Sequence, residues 1–121
     1  MKKRLISLAI LVLIIVSYYV FTDKKVNWNE NLEGNKYEVT FSYFNSKKEI
    51  PIQIEKGQLL FFNNIWNFER GTLGLSIFDP SGVSLETKHK QIRAEKSGIY
   101  TVVIYGEKLE NGHLIFSWEI K

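Results

Sequence analysis

The chain of 121 residues has no cysteine, one methionine, two prolines and two histidines. Without a thiol it has no disulfide framework, no thiolate metal site, no cysteine nucleophile and no lipoprotein attachment. A compartment outside the membrane permits disulfides and does not require them. Two histidines leave little material for metal binding or proton transfer.

Charge of one sign is lacking too, apart from the first residues. The pI is near 9.1. Of the 16 basic residues, Lys2, Lys3 and Arg4 precede a long apolar run, and the 13 that follow are matched by 13 acidic residues. A formally neutral body has no basic face for phosphates, so a nucleic-acid partner is not expected. Lys2-Lys3-Arg4 reads instead as a topology signal that keeps the N-terminus inside.

Leu5 to Phe21, LISLAILVLIIVSYYVF, contains no charge, proline or glycine. About 17 helical residues reach roughly 26 Å, enough to cross a hydrocarbon core with local thinning. Tyr18 and Tyr19 fall where an aromatic belt would sit. Residues 1–22 are therefore expected to be a transmembrane anchor, with the rest of the chain extracytoplasmic. The rival reading is a cleaved signal peptide and a secreted product. The bulky triplets Ser17-Tyr18-Tyr19 and Tyr19-Val20-Phe21 suit signal peptidase poorly, and Val20-Phe21-Thr22 is the least poor site.

Residues 23–35 are polar, rich in Asn and charge, and read as a tether, with Trp28 out of place in it. From residue 36 the apolar period is two. Tyr37, Val39, Phe41 and Tyr43 alternate with polar residues, and so do Ile50, Ile52 and Ile54 after a turn expected at Asn45-Ser46-Lys47. Pro51 marks that second strand as an edge or a bulge. Leu59–Phe62, Leu73–Phe78, Val83–Leu85, Ile92–Ala94, Tyr100–Ile104 and Leu114–Ile120 follow, separated by Gly- and Asn-containing turns. Lys56-Gly57, Asp79-Pro80-Ser81-Gly82, Lys96-Ser97-Gly98 and Glu110-Asn111-Gly112 are the expected turns. This predicts an all-β domain over 36–121, a jelly-roll-like antiparallel β-sandwich of about eight strands.

Residues 73–85, LGLSIFDPSGVSL, and 92–105, IRAEKSGIYTVVIYG, carry Asp79-Pro80-Ser81-Gly82 and Ser97-Gly98-Ile99-Tyr100, with Phe116-Ser117-Trp118 near the end. In order and spacing these resemble the bacterial pre-peptidase C-terminal domain family. The resemblance covers about half of the exported part and rests on turn and core residues. It implies a jelly-roll-like sandwich of the kind appended to secreted enzymes, with no catalytic role of its own. Some relatives bind calcium through acidic residues; here only Asp79 stands at the motif.

No catalytic constellation emerges. There is no Gly-x-Ser-x-Gly elbow, no phosphate loop and no carboxylate pair placed across a cleft. His89, in Lys88-His89-Lys90, and His113 read as surface residues. No enzyme activity, metal or cofactor is expected.

The unusual segment is Asn63–Thr72, NNIWNFERGT, expected as a loop at one end of the sandwich. Its aromatics beside amides and charge suit a carbohydrate or a peptide. Trp66, Phe68 and Arg70, with Asn64 and Asn67, are the candidate binding residues. The competing reading folds Trp66 and Phe68 inward as a cap on the core. The functional expectation is a non-catalytic, membrane-tethered binding module that contacts an envelope protein or a cell-wall glycan, through this loop or by strand addition at an open edge. The alternative is an envelope accessory protein that associates through its membrane helix.

Overall fold

The computed structural model describes residues 23–121, so the anchor or signal segment at 1–22 lies outside the described residues. The described part is all-β and antiparallel. Its strands are β1 (Lys24–Val26), β2 (Asn29–Glu33), β3 (Lys36–Ile54), β4 (Leu59–Asn67), β5 (Arg70–Phe78), β6 (Ser84–Leu85), β7 (Gln91–Arg93) and β8 (Gly98–Ile120). Among the described residues no helix is long and apolar enough to cross a membrane.

Eight strands are present, but not the eight expected. The turn expected at Asn45-Ser46-Lys47 lies inside β3, and the one at Glu110-Asn111-Gly112 lies inside β8. Two pairs of expected strands are thus fused into two long ones. The count is restored by β1 and β2, which form within the expected tether and pair with β3.

The long strands pair along almost their whole length, from Lys36↔Ser117 to Ile54↔Gly98. On the far side of β8, β4 covers its second half and β5 its first, so the two follow one another along the same edge. The sheet is folded across its middle. Tyr37 and Lys48 stand eleven residues apart on β3, which in a straight strand means about 36 Å. The Lys48 ammonium nevertheless lies 5.5 Å from the centre of the Tyr37 ring. The two halves of the sheet therefore face each other, and one apolar cluster fills the space between them.

The fold line is written in the pattern of buried residues. On β3 the inward residues are Tyr37, Val39 and Phe41, then Phe44, Ile50, Ile52 and Ile54. On β8 they are Phe116, Leu114 and Gly112, then Leu109, then Gly106, Ile104 and Val102. Each strand takes a step of three at the same place, between Phe41 and Phe44 and between Gly112 and Leu109. A step of three turns the inner face over, as a strand must when it passes from one layer to the other.

A β-bulge sharpens the corner. Phe44 pairs with Leu109 but Ser46 with Gly106, and Arg70 pairs with Glu110 but Thr72 with Glu107. Both neighbours thus see one extra residue in β8. Lys108 takes a positive φ of 50° there, and its N–H donates to Asn45 Oδ1 at 3.1 Å. Gly71 (φ 105°) passes so close that a Cβ would lie 2.4 Å from the Lys108 carbonyl oxygen. Asn111 also has positive φ, at 47°, without reversing the chain. The residues that signalled turns bend a strand instead.

Aromatic rings fill the inside of the corner. Trp28 stacks on Phe41 at 5.8 Å and meets Phe44 at 4.8 Å, and Phe41 and Phe44 lie 5.4 Å apart. Trp28, half-buried, thus packs against the core and fixes the stretch expected as a tether. Phe44 rests over Gly106 and Phe41 over Gly112, where a Cβ would come within 2.4 Å and 2.3 Å of the rings.

The resemblance motifs have structural work. Asp79 Oδ1 accepts the N–H groups of Ser81 at 2.8 Å and Val83 at 2.9 Å. These bonds, the Val83 one foremost, with Lys96 nearby, hold the Asp79 carboxyl below its ordinary pKa. Lys96 reaches across to Ser81 Oγ at 2.7 Å, and the Tyr100 hydroxyl donates to the Lys96 carbonyl at 2.8 Å. The Asp-Pro-x-Gly turn is thereby tied to the Ser-Gly-x-Tyr strand, and its carboxylate is engaged by backbone donors.

Gly106→Ala and Gly112→Ala are each expected to lower stability by about 1–3 kcal/mol through overpacking against Phe44 and Phe41. Gly74→Ala is the control, since its Cβ would meet the Tyr105 ring at an ordinary 3.6 Å. It is expected to leave stability unchanged or raise it by about 0.5–1 kcal/mol. Urea unfolding of the three variants checks this.

Candidate functional site

The segment expected as a binding loop is mostly strand. Asn63–Asn67 belongs to β4 and Arg70–Thr72 to β5, leaving Phe68-Glu69 as the break between them. The pairing to β8 keeps its register across that break, because Asn67 faces His113 and Arg70 faces Glu110. Strand alternation therefore divides the five candidate residues. Asn64 and Trp66 stand opposite the buried Phe116 and Leu114, and Trp66 and Phe68 pack against the core. Asn67 is exposed on the outer face beside His113, and Arg70 is exposed beyond the break. They do not converge on one surface. Trp66 and Phe68 follow the inward-capping reading, as the two-residue spacing from Leu60 and Phe62 requires.

The outer face of that half of the sheet carries the exposed Ile65 at 58%. It also carries His113, which contacts the Glu38 carboxylate, and Lys36 beside Glu38 at 4.0 Å. A shallow hollow of about 280 Å³ on it is lined by Phe61, Asn63, Ser117 and Glu119 among others. Lys121 sits over the Phe61 ring at 5.2 Å. Phe62 and Trp118 also line this hollow, so the cation covers one of its three aromatic residues.

The better-formed site lies at the open edge of β3. Beyond β1, which pairs only with Tyr43–Asn45, residues 46–54 bond to β8 on one side and to no described strand on the other. Pro51 lies in that stretch, opposite Thr101, as its missing N–H requires of an edge. Just behind the edge, where the halves of the folded sheet diverge, is a cleft of about 240 Å³. Its walls are Leu32, Tyr37, Ile50 and Pro51, with Glu30, Lys48 and Glu49 at its polar end. Leu32, at its rim, is 58% exposed.

Strand β2 places the charged group. Glu30 stands opposite Val39 and Leu32 opposite Tyr37, so both point to the inner side of the sheet at its margin. The Tyr37 hydroxyl donates to Glu30 Oε2 at 2.5 Å, and Lys48 Nζ lies 3.3 Å from the same oxygen. Glu30 thereby joins β2 in one half to β3 in the other. Burial alone would raise the Glu30 pKa; the Tyr37, Trp28 and Lys48 donors outweigh it and hold the carboxyl below its ordinary range. Burial, reinforced by the adjacent carboxylate, pushes the Tyr37 phenol far upward. Tyr37 is therefore a donor at every physiological pH. The Glu30–Lys48 ion pair is partly exposed, at 38% and 30%, and contributes about 0–1 kcal/mol.

Sequence reasoning missed this cleft because its residues come from three places. A signal existed: Trp28, Glu30 and Leu32 share one parity, with two large apolar residues in a segment otherwise polar.

Tyr37→Phe removes a hydrogen bond to a charged group, and with Glu30 partly solvated the expected loss is about 1 kcal/mol at neutral pH. The pH dependence has two arms. The depressed Glu30 pKa stabilises the fold above its unfolded value of about 4.3, and that contribution is lost as pH falls through the lower folded value. The raised Tyr37 pKa costs stability above about pH 10, where the unfolded chain releases a proton that the folded chain keeps. Tyr37→Phe is expected to weaken both arms, as read by urea unfolding at pH 3–11.

No family model and no curated protein matches this chain, so its function is inferred from its own residues.

Proposed function

We propose that the protein is a non-catalytic, membrane-anchored, extracytoplasmic module that binds an extended polypeptide segment of an envelope protein by adding it to the open edge of β3. The observation that carries this reading is the stretch 46–54, which has β8 on one side and no described strand on the other, with a cleft directly behind it. An added strand satisfies the free backbone groups, and a neighbouring pocket takes one of its side chains and sets specificity. Leu32, Ile50 and Pro51 supply the apolar walls for that side chain, and Glu30 and Lys48 the polar end.

The anchor in this reading is the apolar run Leu5–Phe21 behind three basic residues. A jelly-roll-like sandwich, as in the pre-peptidase C-terminal modules, is the finer description of the fold in the same reading. The long strands that cross from one half to the other support it. The edge is favoured over a wall glycan because Trp66 and Phe68 pack against the core and Phe61 lies under Lys121. The edge also carries its own protection against indiscriminate pairing: Pro51, and the charges of Lys47, Lys48 and Glu49.

The test is a cross-linked pull-down with tagged full-length protein in its own membranes. Gln53 shares the parity of Pro51, so its N–H belongs to the free side of β3, and Gln53→Pro removes it without breaking the ladder to β8. Gln53→Pro is expected to lose the partner captured by the unaltered chain while unfolding at a similar Tm, and Lys48→Glu to lose it while staying folded at a Tm lowered by the like charge beside Glu30. A partner kept at full yield by both folded variants refutes edge addition. Its loss in a folded Trp66→Ala/Phe68→Ala variant alone would return the contact to the β4–β5 junction.

A further inference from the structure

The end of the domain that receives the N-terminal segment is built at the fold line. Strand β1 begins at Lys24, paired with Asn45, so Thr22 and Asp23 alone separate Phe21 from the folded sheet. Three Cα steps reach at most about 11 Å. The stretch that composition marks as a tether is consumed by β1 and β2 and offers no slack.

From this we infer that the folded corner of the sheet rests on the lipid surface, with Lys24, Tyr43, Lys47 and Tyr105 at the headgroups. The inference rests on the membrane-anchor reading of Leu5–Phe21. Asp23 lies in a shallow hollow with Asn45, Ser46, Lys47, Tyr105 and Gly106. Tyr105 is opposite Lys47 on β3, is 37% exposed and has Gly74 as its neighbour on β5. Lys24 stands 5.9 Å from the centre of the Tyr43 ring. Tyrosine with an apolar body and wet hydroxyl, and lysine with a long stem and charged head, are the side chains that settle at a bilayer interface.

Geometry sets the opposite end away from the lipid. The turns at Lys56-Gly57 and Lys96-Ser97 are bound to each other by Lys56 N–H to Ser97 Oγ at 2.8 Å and Gly57 N–H to the Ala94 carbonyl at 2.8 Å. Seven steps of strand from Lys47 to Ile54 reach about 23 Å, and the turn at Lys56-Gly57 lies beyond them, away from the corner. The open edge of β3 then runs outward from the membrane, with the cleft part-way along it.

The absence of cysteine makes the test direct. Lys47→Cys and, separately, Lys56→Cys in the full chain are labelled with one fluorophore and reconstituted into phosphatidylcholine–phosphatidylglycerol vesicles that carry a headgroup nitroxide quencher. Both proteins are expected to float with the vesicles. The label at residue 47 is expected to lose most of its emission, and the label at residue 56 little. Flotation with equal, weak quenching at both sites overturns the apposed corner and leaves the anchor standing. Failure to float overturns the anchor and the apposition together.

Discussion

Everything in this domain depends on two strands changing face at the same point. β3 and β8 are each too long for one layer of so small a molecule. They fit only because Phe41–Phe44 and Leu109–Gly112 both step by three and carry the pair around a corner. The corner is stabilised by what it removes from water. Trp28, Phe41 and Phe44 pack against one another, and two glycines let the rings lie flat on β8. Burial of three large aromatic side chains contributes several kcal/mol by area, at roughly 25 cal/mol per Å². Substituting either glycine would push a ring off the strand that it covers.

The sequence showed the class of the fold and the inward residues of nearly every strand, because a period of two in apolar residues is a local signal. It did not show the connectivity. Asn45-Ser46-Lys47 and Glu110-Asn111-Gly112 carry the residue types of reversals, and Asn111 does adopt the left-handed conformation that such types permit. Whether a positive φ reverses a strand or bends it is decided by the neighbouring strand, which one segment cannot reveal. The Asn63–Thr72 segment misled in the opposite way. Its amides and charges suggested a loop, yet Asn64, Trp66 and Phe68 continue the inward parity of Leu60 and Phe62. Charge was equally deceptive between residues 24 and 33, where pairing to β3 and the docking of Trp28 outweigh a polar composition.

The two halves of the sheet also meet at their open margin. The core closes the interior, and at β2 Glu30 reaches from one half to the other. One carboxylate held by a phenol and an ammonium is a modest clamp, and it sits beside the one long stretch of backbone on β3 that no described strand covers. Firm packing at the corner thus contrasts with a light clasp at this margin.

The order of the strands along the chain has a consequence for how the domain is made. β8 lies at the centre of the sheet, between β3 on one side and β4 and β5 on the other, yet it follows all of them in sequence. Until it emerges, three long strands lack their principal partner, and Lys36 must wait for Ser117. Pairing across so much chain is slow and leaves apolar strands uncovered meanwhile. The sheet of the described residues therefore cannot close until β8 is in place, so its folding is set by the last of its strands.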